Sequence, residues 1–188
     1  KLGVDKSVSN LKSRNIFKTV DYKVKNGSSS DLKIIDITIE EKPTGEISAG
    51  AGIGTSGGSI AFNVSENNWL GEGKKVGFQI ELTDESLRGR LDYTDPNYDF
   101  LGNSINYYLG STSNDKPEQG YENTTFSGEI NTTFEQYKDL FATLGVAMTH
   151  DDLRTTNDAS SSLKKQSGEF FELSGLYGFK YDKRNRAF

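Results

Sequence analysis

The chain has 188 residues, a net charge of −5 and no cysteine, so it can hold one sizeable domain, or a small domain and part of a larger one, without disulfides or thiolate zinc sites. Its basic residues are scattered, which speaks against nucleic acid as a partner. Only 33% of residues are hydrophobic and mean hydropathy is −0.64, yet there are 9 Tyr, 11 Phe and 20 Gly, a mixture poor for a helical membrane protein and ordinary for a transmembrane β-barrel, whose strands show lipid only alternate side chains.

No apolar run is long enough for a membrane helix. The opening K-L-G-V-D-K lacks the apolar core of a signal peptide, so a mature or cut N-terminus is expected. The spacing of Val8, Leu11 and Phe17 predicts a helix over Ser7 to Phe17, with Ser7 or Ser9 as cap and Asn15 as stop. Val20, Tyr22 and Val24 then alternate with charges, a turn cluster N-G-S-S-S-D follows, and Ile35, Ile37 and Ile39 share one face of the next run. A β-hairpin is predicted, closed by the linker E-E-K-P-T-G.

From there the pattern is strand after strand. In E-I-S-A-G-A-G-I-G the apolar face is Ile47, Ala49, Ala51 and Ile53, and Glu46, Ser48, Gly50, Gly52 and Gly54 form the other. Ile60, Phe62 and Val64 mark the second strand, Val76, Phe78, Ile80 and Leu82 the third, and Leu87, Leu91 and Tyr93 the fourth. The fifth carries Ile105, Tyr107 and Leu109, and the sixth Phe126, Ile130 and Phe134. Leu144, Val146 and Met148 mark the seventh, and Phe171, Leu173, Tyr177 and Phe179 the eighth. The expected fold is mainly β, with about eight antiparallel membrane strands. Arg88, Arg90, Asp92 and Glu129 fall on the second face, which suits a wet lumen better than a sandwich core.

The links after the second, fourth and sixth strands carry aromatics and leucine, while S-T-S-N-D-K-P-E-Q-G-Y and the stretch from His150 to Gly168 are polar and read as long outer loops. Short turns belong on the periplasmic side, so the N-terminal module is expected in the periplasm. Trp69 and Leu70, beside Gly71, then suit the headgroup level as interface anchors. His150 with Asp151 and Asp152 is a poor metal set and is expected in an exposed loop. S-T-S-N-D-K and T-N-D-A-S-S-S contain no base near a serine, so a hydrolytic triad has no support; neither a catalytic site nor a cofactor is expected.

The stretch S-E-N-N-W-L-G-E-G-K-K-V-G-F, with E-E-K-P-T-G-E-I-S-A-G-A-G-I-G before it and R-G-R-L-D-Y-T-D-P-N-Y-D-F-L-G-N-S after it, resembles the BamA family of outer-membrane-protein assembly factors. Residues 1–43 resemble the second half of that family's last POTRA domain, a partial α+β module, and residues 44–188 the N-terminal half of its sixteen-stranded barrel, ending in Y-D-K-R-N-R-A-F. The resemblance implies a non-enzymatic factor of the outer membrane that folds and inserts β-barrel proteins. Its implied partners are unfolded outer-membrane proteins, accessory assembly lipoproteins and outer-membrane lipid.

Within that reading Glu46 to Gly54 is the lateral gate that pairs with substrate strands. The glycine face offers little packing, and a weakly paired edge can template an incoming strand. The same glycines also fit a place where crowding is relieved at a barrel bend. The hairpin edge from Leu32 through Ile34, Ile35, Asp36, Ile37, Thr38 and Ile39 is either a second docking edge or the cover of its own helix. A passive eight-stranded pore and a related POTRA-containing transport barrel remain as alternatives.

Overall fold

The computed structural model describes residues 2–29, 31–54, 57–99 and 101–183. It divides into two units, one built on Lys1–Thr44 and one on Gly45–Asp182.

In the first unit helix α1 spans Leu2–Ser13, and strands β1 (Phe17–Asn26) and β2 (Lys33–Glu41) follow. The helix starts earlier than predicted because Val4, one turn before Val8, extends the apolar stripe backwards. Ser7 and Ser9 are therefore not caps, and Ser7 Oγ donates to the Gly3 carbonyl at 3.0 Å within the helix. The predicted stop holds: Asn15 adopts a φ of 58° and its N–H donates to the Lys12 carbonyl at 3.1 Å, a left-handed close that asparagine tolerates. Phe17 opens β1 instead of ending the helix. Among the described residues Val8, Ile16 and Val20 are the buried apolar residues of this unit.

The second unit is one antiparallel sheet in chain order, β3 (Gly45–Gly54), β4 (Gly57–Trp69), β5 (Lys74–Thr83), β6 (Ser86–Asp95), β7 (Ser104–Lys116), β8 (Tyr121–Tyr137), β9 (Leu140–Thr155) and β10 (Gly168–Tyr181). All eight predicted strands are present. A short helix α2 (Ser161–Gln166) lies in the last connection. The R-N-R-A-F that ends the sequence lies outside the described residues. β3 and β10 are the edges and do not pair with each other among the described residues, so the closed eight-stranded barrel is not formed.

Of the stretches expected as long outer loops, the first is mostly strand and the second begins as strand. Ser111 to Lys116 belongs to β7 and His150 to Thr155 to β9, and pairs such as Ser113↔Thr124 and Thr124↔Asp152 continue the ladder through them. Their polarity reflects position along the strand, since beyond an apolar band both faces of a paired strand meet water. The link after β7 is then only a 3₁₀ turn, Pro117–Gln119, closed by Gly120.

One row of directly opposite residues runs across the whole sheet as Ile47, Val64, Phe78, Leu91, Leu109, Gly128, Met148 and Leu173. The row above it is Ala49, Phe62, Ile80, Gly89, Ser111, Phe126, His150 and Phe171. The apolar centre does not follow these rows. On β10 it lies about five residues nearer the β8–β9 end than on β3, which at roughly 3.3 Å per residue and 4.8 Å per strand step is a strand tilt of about 27°. With that tilt Trp69 and Tyr137 lie near one level and Phe126 and Phe171 near another, about 30 Å apart, the thickness of a bilayer's hydrocarbon core.

Candidate strand-pairing site

β3 is held on one side by β4, from Gly45↔Glu66 to Gly54↔Gly57, and its other edge is open among the described residues. All ten of its residues are exposed, and Ile53 is 96% so. The crowding explanation for its glycines is testable atom by atom. A Cβ on Gly50 or Gly54 would meet nothing within 4 Å, and neither has a positive φ. Only at Gly52, 3.2 Å from Ser59 Oγ, and Gly45, 3.0 Å from Glu66 Oε2, is space tight. Gly50 and Gly54 are therefore bare backbone where a side chain has room, in an exposed strand fastened chiefly by its ladder to β4.

At the lower end of the sheet, the end of the β4–β5, β6–β7 and β8–β9 turns, the three predicted anchor residues come together in one turn. Leu70 and Gly71 have φ of 57° and 75°, and the Glu72 N–H donates to the Trp69 carbonyl at 3.2 Å, the pattern of a type I′ turn that usually takes Asn-Gly. Leucine in that conformation costs about 1–2 kcal/mol. It is 78% exposed, so its packing within the protein does not repay the strain. A β-bulge between Glu66 and Trp69 pairs Trp69 with Lys74 and so moves the indole from the polar to the apolar face. A second bulge, between Glu135 and Tyr137, does the same for Tyr137 opposite Leu140. Tyr137 was legible as the aromatic of a link but its face was not, because strict alternation puts it on the polar face and no local residue announces the bulge.

The polar face is a connected surface. Thr94 Oγ1 donates to Asn106 Oδ1 at 2.8 Å, Asn106 Nδ2 to Asn131 Oδ1 at 2.8 Å, and Asn131 Nδ2 to Glu129 Oε1 at 2.7 Å. Arg90 grips Asp92 with two hydrogen bonds of 2.7 Å and stacks 4.9 Å over the Tyr108 ring. Arg88 lies 3.9 Å from Glu81. These are the charges assigned to a wet lumen, and they share the predicted face.

His150 is in β9, not in a loop, on the apolar face between Phe126 and Phe171, with Nε2 3.8 Å from Glu169 Oε2. Its two neighbouring aspartates diverge. Asp151, on the polar face, accepts from Thr125 Oγ1 at 2.6 Å and Asn123 Nδ2 at 2.7 Å, while Asp152 pairs with Arg154 at 2.7 Å. Alternation along the strand is what separates them.

In the first unit Ile35, Ile37 and Ile39 pair with Val24, Tyr22 and Val20 and remain exposed, as do Leu32 and Ile34. Asp36 pairs with Lys25. α1 packs on β1, and β2 pairs only with β1 among the described residues. The Tyr22 hydroxyl donates to Asp5 Oδ1 at 2.6 Å; that bond, with burial and the Asp5 charge, pushes its pKa above the ordinary value. In the β6–β7 turn burial alone would raise the Asp99 carboxyl, but N–H donors from Asn103 and Leu101 outweigh it and hold it below its ordinary value.

Two comparisons bear on this geometry. The model of the Omp85 superfamily domain matches residues 68–188. The crystal structure of BamA from Haemophilus ducreyi lacking POTRA domains 1-3 superposes with a TM-score of 0.72 at 23% sequence identity, over 97% of this chain and 38% of that one.

Proposed function

Because the chain belongs to the Omp85 superfamily and has the strands of an outer-membrane barrel, we propose that it is part of a factor that folds and inserts β-barrel proteins, with β3 as the gate strand. In this reading the open edge of β3 accepts a strand of an unfolded outer-membrane protein by β-augmentation, and no covalent bond is made or broken. In hydrocarbon each unmatched N–H or C=O costs several kcal/mol, so a free edge there gains greatly from any strand that pairs with it. The observation that carries the reading is the empty side-chain space at Gly50 and Gly54. A strand built only to close a wall has every reason to fill that space.

The first unit fits part of a POTRA module on the periplasmic side, and its open β2 edge suits a second strand or an accessory lipoprotein. That assignment rests on the helix–hairpin order and on Ile35, Ile37 and Ile39 remaining exposed beside α1. A passive pore is disfavoured by the β3 and β10 edges, which have no second partner among the described residues.

The test uses the absence of native cysteine. A cysteine at Ser48 or Gly50, cross-linked to the strand that borders β3 in the membrane-embedded protein, should stop insertion of an unfolded outer-membrane protein into vesicles, and reductant should restore it. Undiminished insertion by the locked protein would sink the proposal.

A further inference from the structure

Among its described residues, Gly54, Gly57 and Gly58, the tip of the β3–β4 hairpin has no side chains with which to hold itself to the sheet. Ser59↔Thr83 is the last β4–β5 pair, so Gly57 and Gly58 overhang the ladder. One side chain meets them. The Gly58 N–H donates to Asp84 Oδ2 at 3.2 Å, and Gly57, with φ of 95°, leaves open the space the carboxylate fills, since a Cβ there would lie 1.9 Å from the same oxygen. Among the described residues this is the only side-chain hydrogen bond from that tip to the rest of the sheet.

The post to which the tip is tied is itself braced. The Glu85 N–H donates to Thr83 Oγ1 at 3.3 Å and Thr83 Oγ1 lies 2.8 Å from Ser86 Oγ. The Glu85 carbonyl accepts from the Asp115 N–H at 2.8 Å, and its carboxylate pairs with Lys116. A chain of polar contacts therefore runs along the upper rim from β7 through the β5–β6 turn to Asp84 and the hairpin tip.

We propose that Asp84 is a positioning residue of the gate: it latches the upper end of β4 to the β5–β6 turn, so that β3 moves alone and the β3–β4 hairpin does not swing as one body. This rests on the reading of β3 as a gate strand. With the latch in place β4 is the fixed template against which β3 yields. Without it, the weakest ladder beside the gate shifts from β3–β4 toward the upper end of β4–β5.

The test compares the wild-type full-length protein in lipid vesicles with Asp84→Ala and Asp84→Asn, the second of which keeps an acceptor oxygen. Amide hydrogen exchange is read at Gly58 to Phe62, alongside the rate at which an unfolded outer-membrane protein is inserted. In Asp84→Ala exchange at these amides is expected to rise about tenfold, the factor that accompanies loss of one hydrogen bond to a charged group, with β7 to β10 unchanged and insertion slowed severalfold. Asp84→Asn should stay within about twofold of wild type in both readouts. Unchanged exchange in the alanine variant, or an asparagine variant as loose as alanine, would overturn the latch. A loosened β4 with insertion at the wild-type rate would overturn its role at the gate. A wild-type protein that inserts nothing would instead remove the gate reading, and the exchange data would still decide whether Asp84 fastens the hairpin.

Discussion

Replacing Gly50 with valine should stiffen β3 and slow the insertion proposed for it. The Cβ of a residue at 50 would enter space with no atom within 4 Å, and the backbone there is not left-handed. Valine therefore fits without displacing a neighbour. Restricting the unfolded backbone contributes about 0.5–1 kcal/mol relative to glycine, and a cross-strand contact with Ala61 about 0.2–1 kcal/mol more. A tightening of about 1–2 kcal/mol lowers the population of the detached strand by a factor of about 5–30. The assay measures insertion of an unfolded outer-membrane protein into vesicles by the full-length variant, with hydrogen exchange of the β3–β4 amides in the same sample. Protected amides with slowed insertion are expected. Protected amides with insertion at the wild-type rate would refute the link between a loose β3 and function.

Gly110→Ala should unfold more readily, by about 1–3 kcal/mol, because a Cβ there would lie 2.2 Å from the Tyr108 hydroxyl and displace the ring beneath Arg90; the denaturant midpoint of the purified protein in detergent checks this. Leu70→Asn should relieve about 1 kcal/mol of left-handed strain while weakening membrane contact at the lower rim, read as a raised unfolding midpoint in detergent that shrinks or reverses in vesicles. Because the Tyr22 pKa is raised from 10.0, the stabilisation from its bond to Asp5 is fully present below pH 10 and is lost as pH climbs through the folded value. Alkaline ultraviolet titration, differenced against Tyr22→Phe, should show this hydroxyl ionising later than in an Asp5→Asn background; coincident midpoints would contradict the assignment.

The strands were legible because alternation over about ten residues leaves few other folds open to the chain. The hairpin of the first unit and the stop at Asn15 were legible for the same kind of local reason. What misled was polarity. Ser111 to Lys116 and His150 to Thr155 look like loops because both faces are polar, yet they are paired strand. The faces of Trp69 and Tyr137 were hidden for a different reason: a bulge is set by how two strands fit each other, and one strand's sequence does not display it. Asp84 belongs to the same class, since nothing in T-D-E-S says that its carboxylate reaches a glycine 26 residues away. The small residues of β3, the strand proposed as the gate, were visible as a row in the sequence. That Gly50 and Gly54 face empty space and are not crowded was visible only in three dimensions.

The central claim is that the open edge of β3 pairs with incoming strands, and cysteine scanning across Glu46 to Gly54 tests it most directly. Each single-cysteine form of the full-length protein would be allowed to engage an unfolded outer-membrane protein stalled in mid-insertion and carrying its own single cysteines. The account predicts disulfides in one antiparallel register, in which each step along β3 requires the opposite step along the substrate strand. Cross-links absent from β3, or scattered without register, would contradict it.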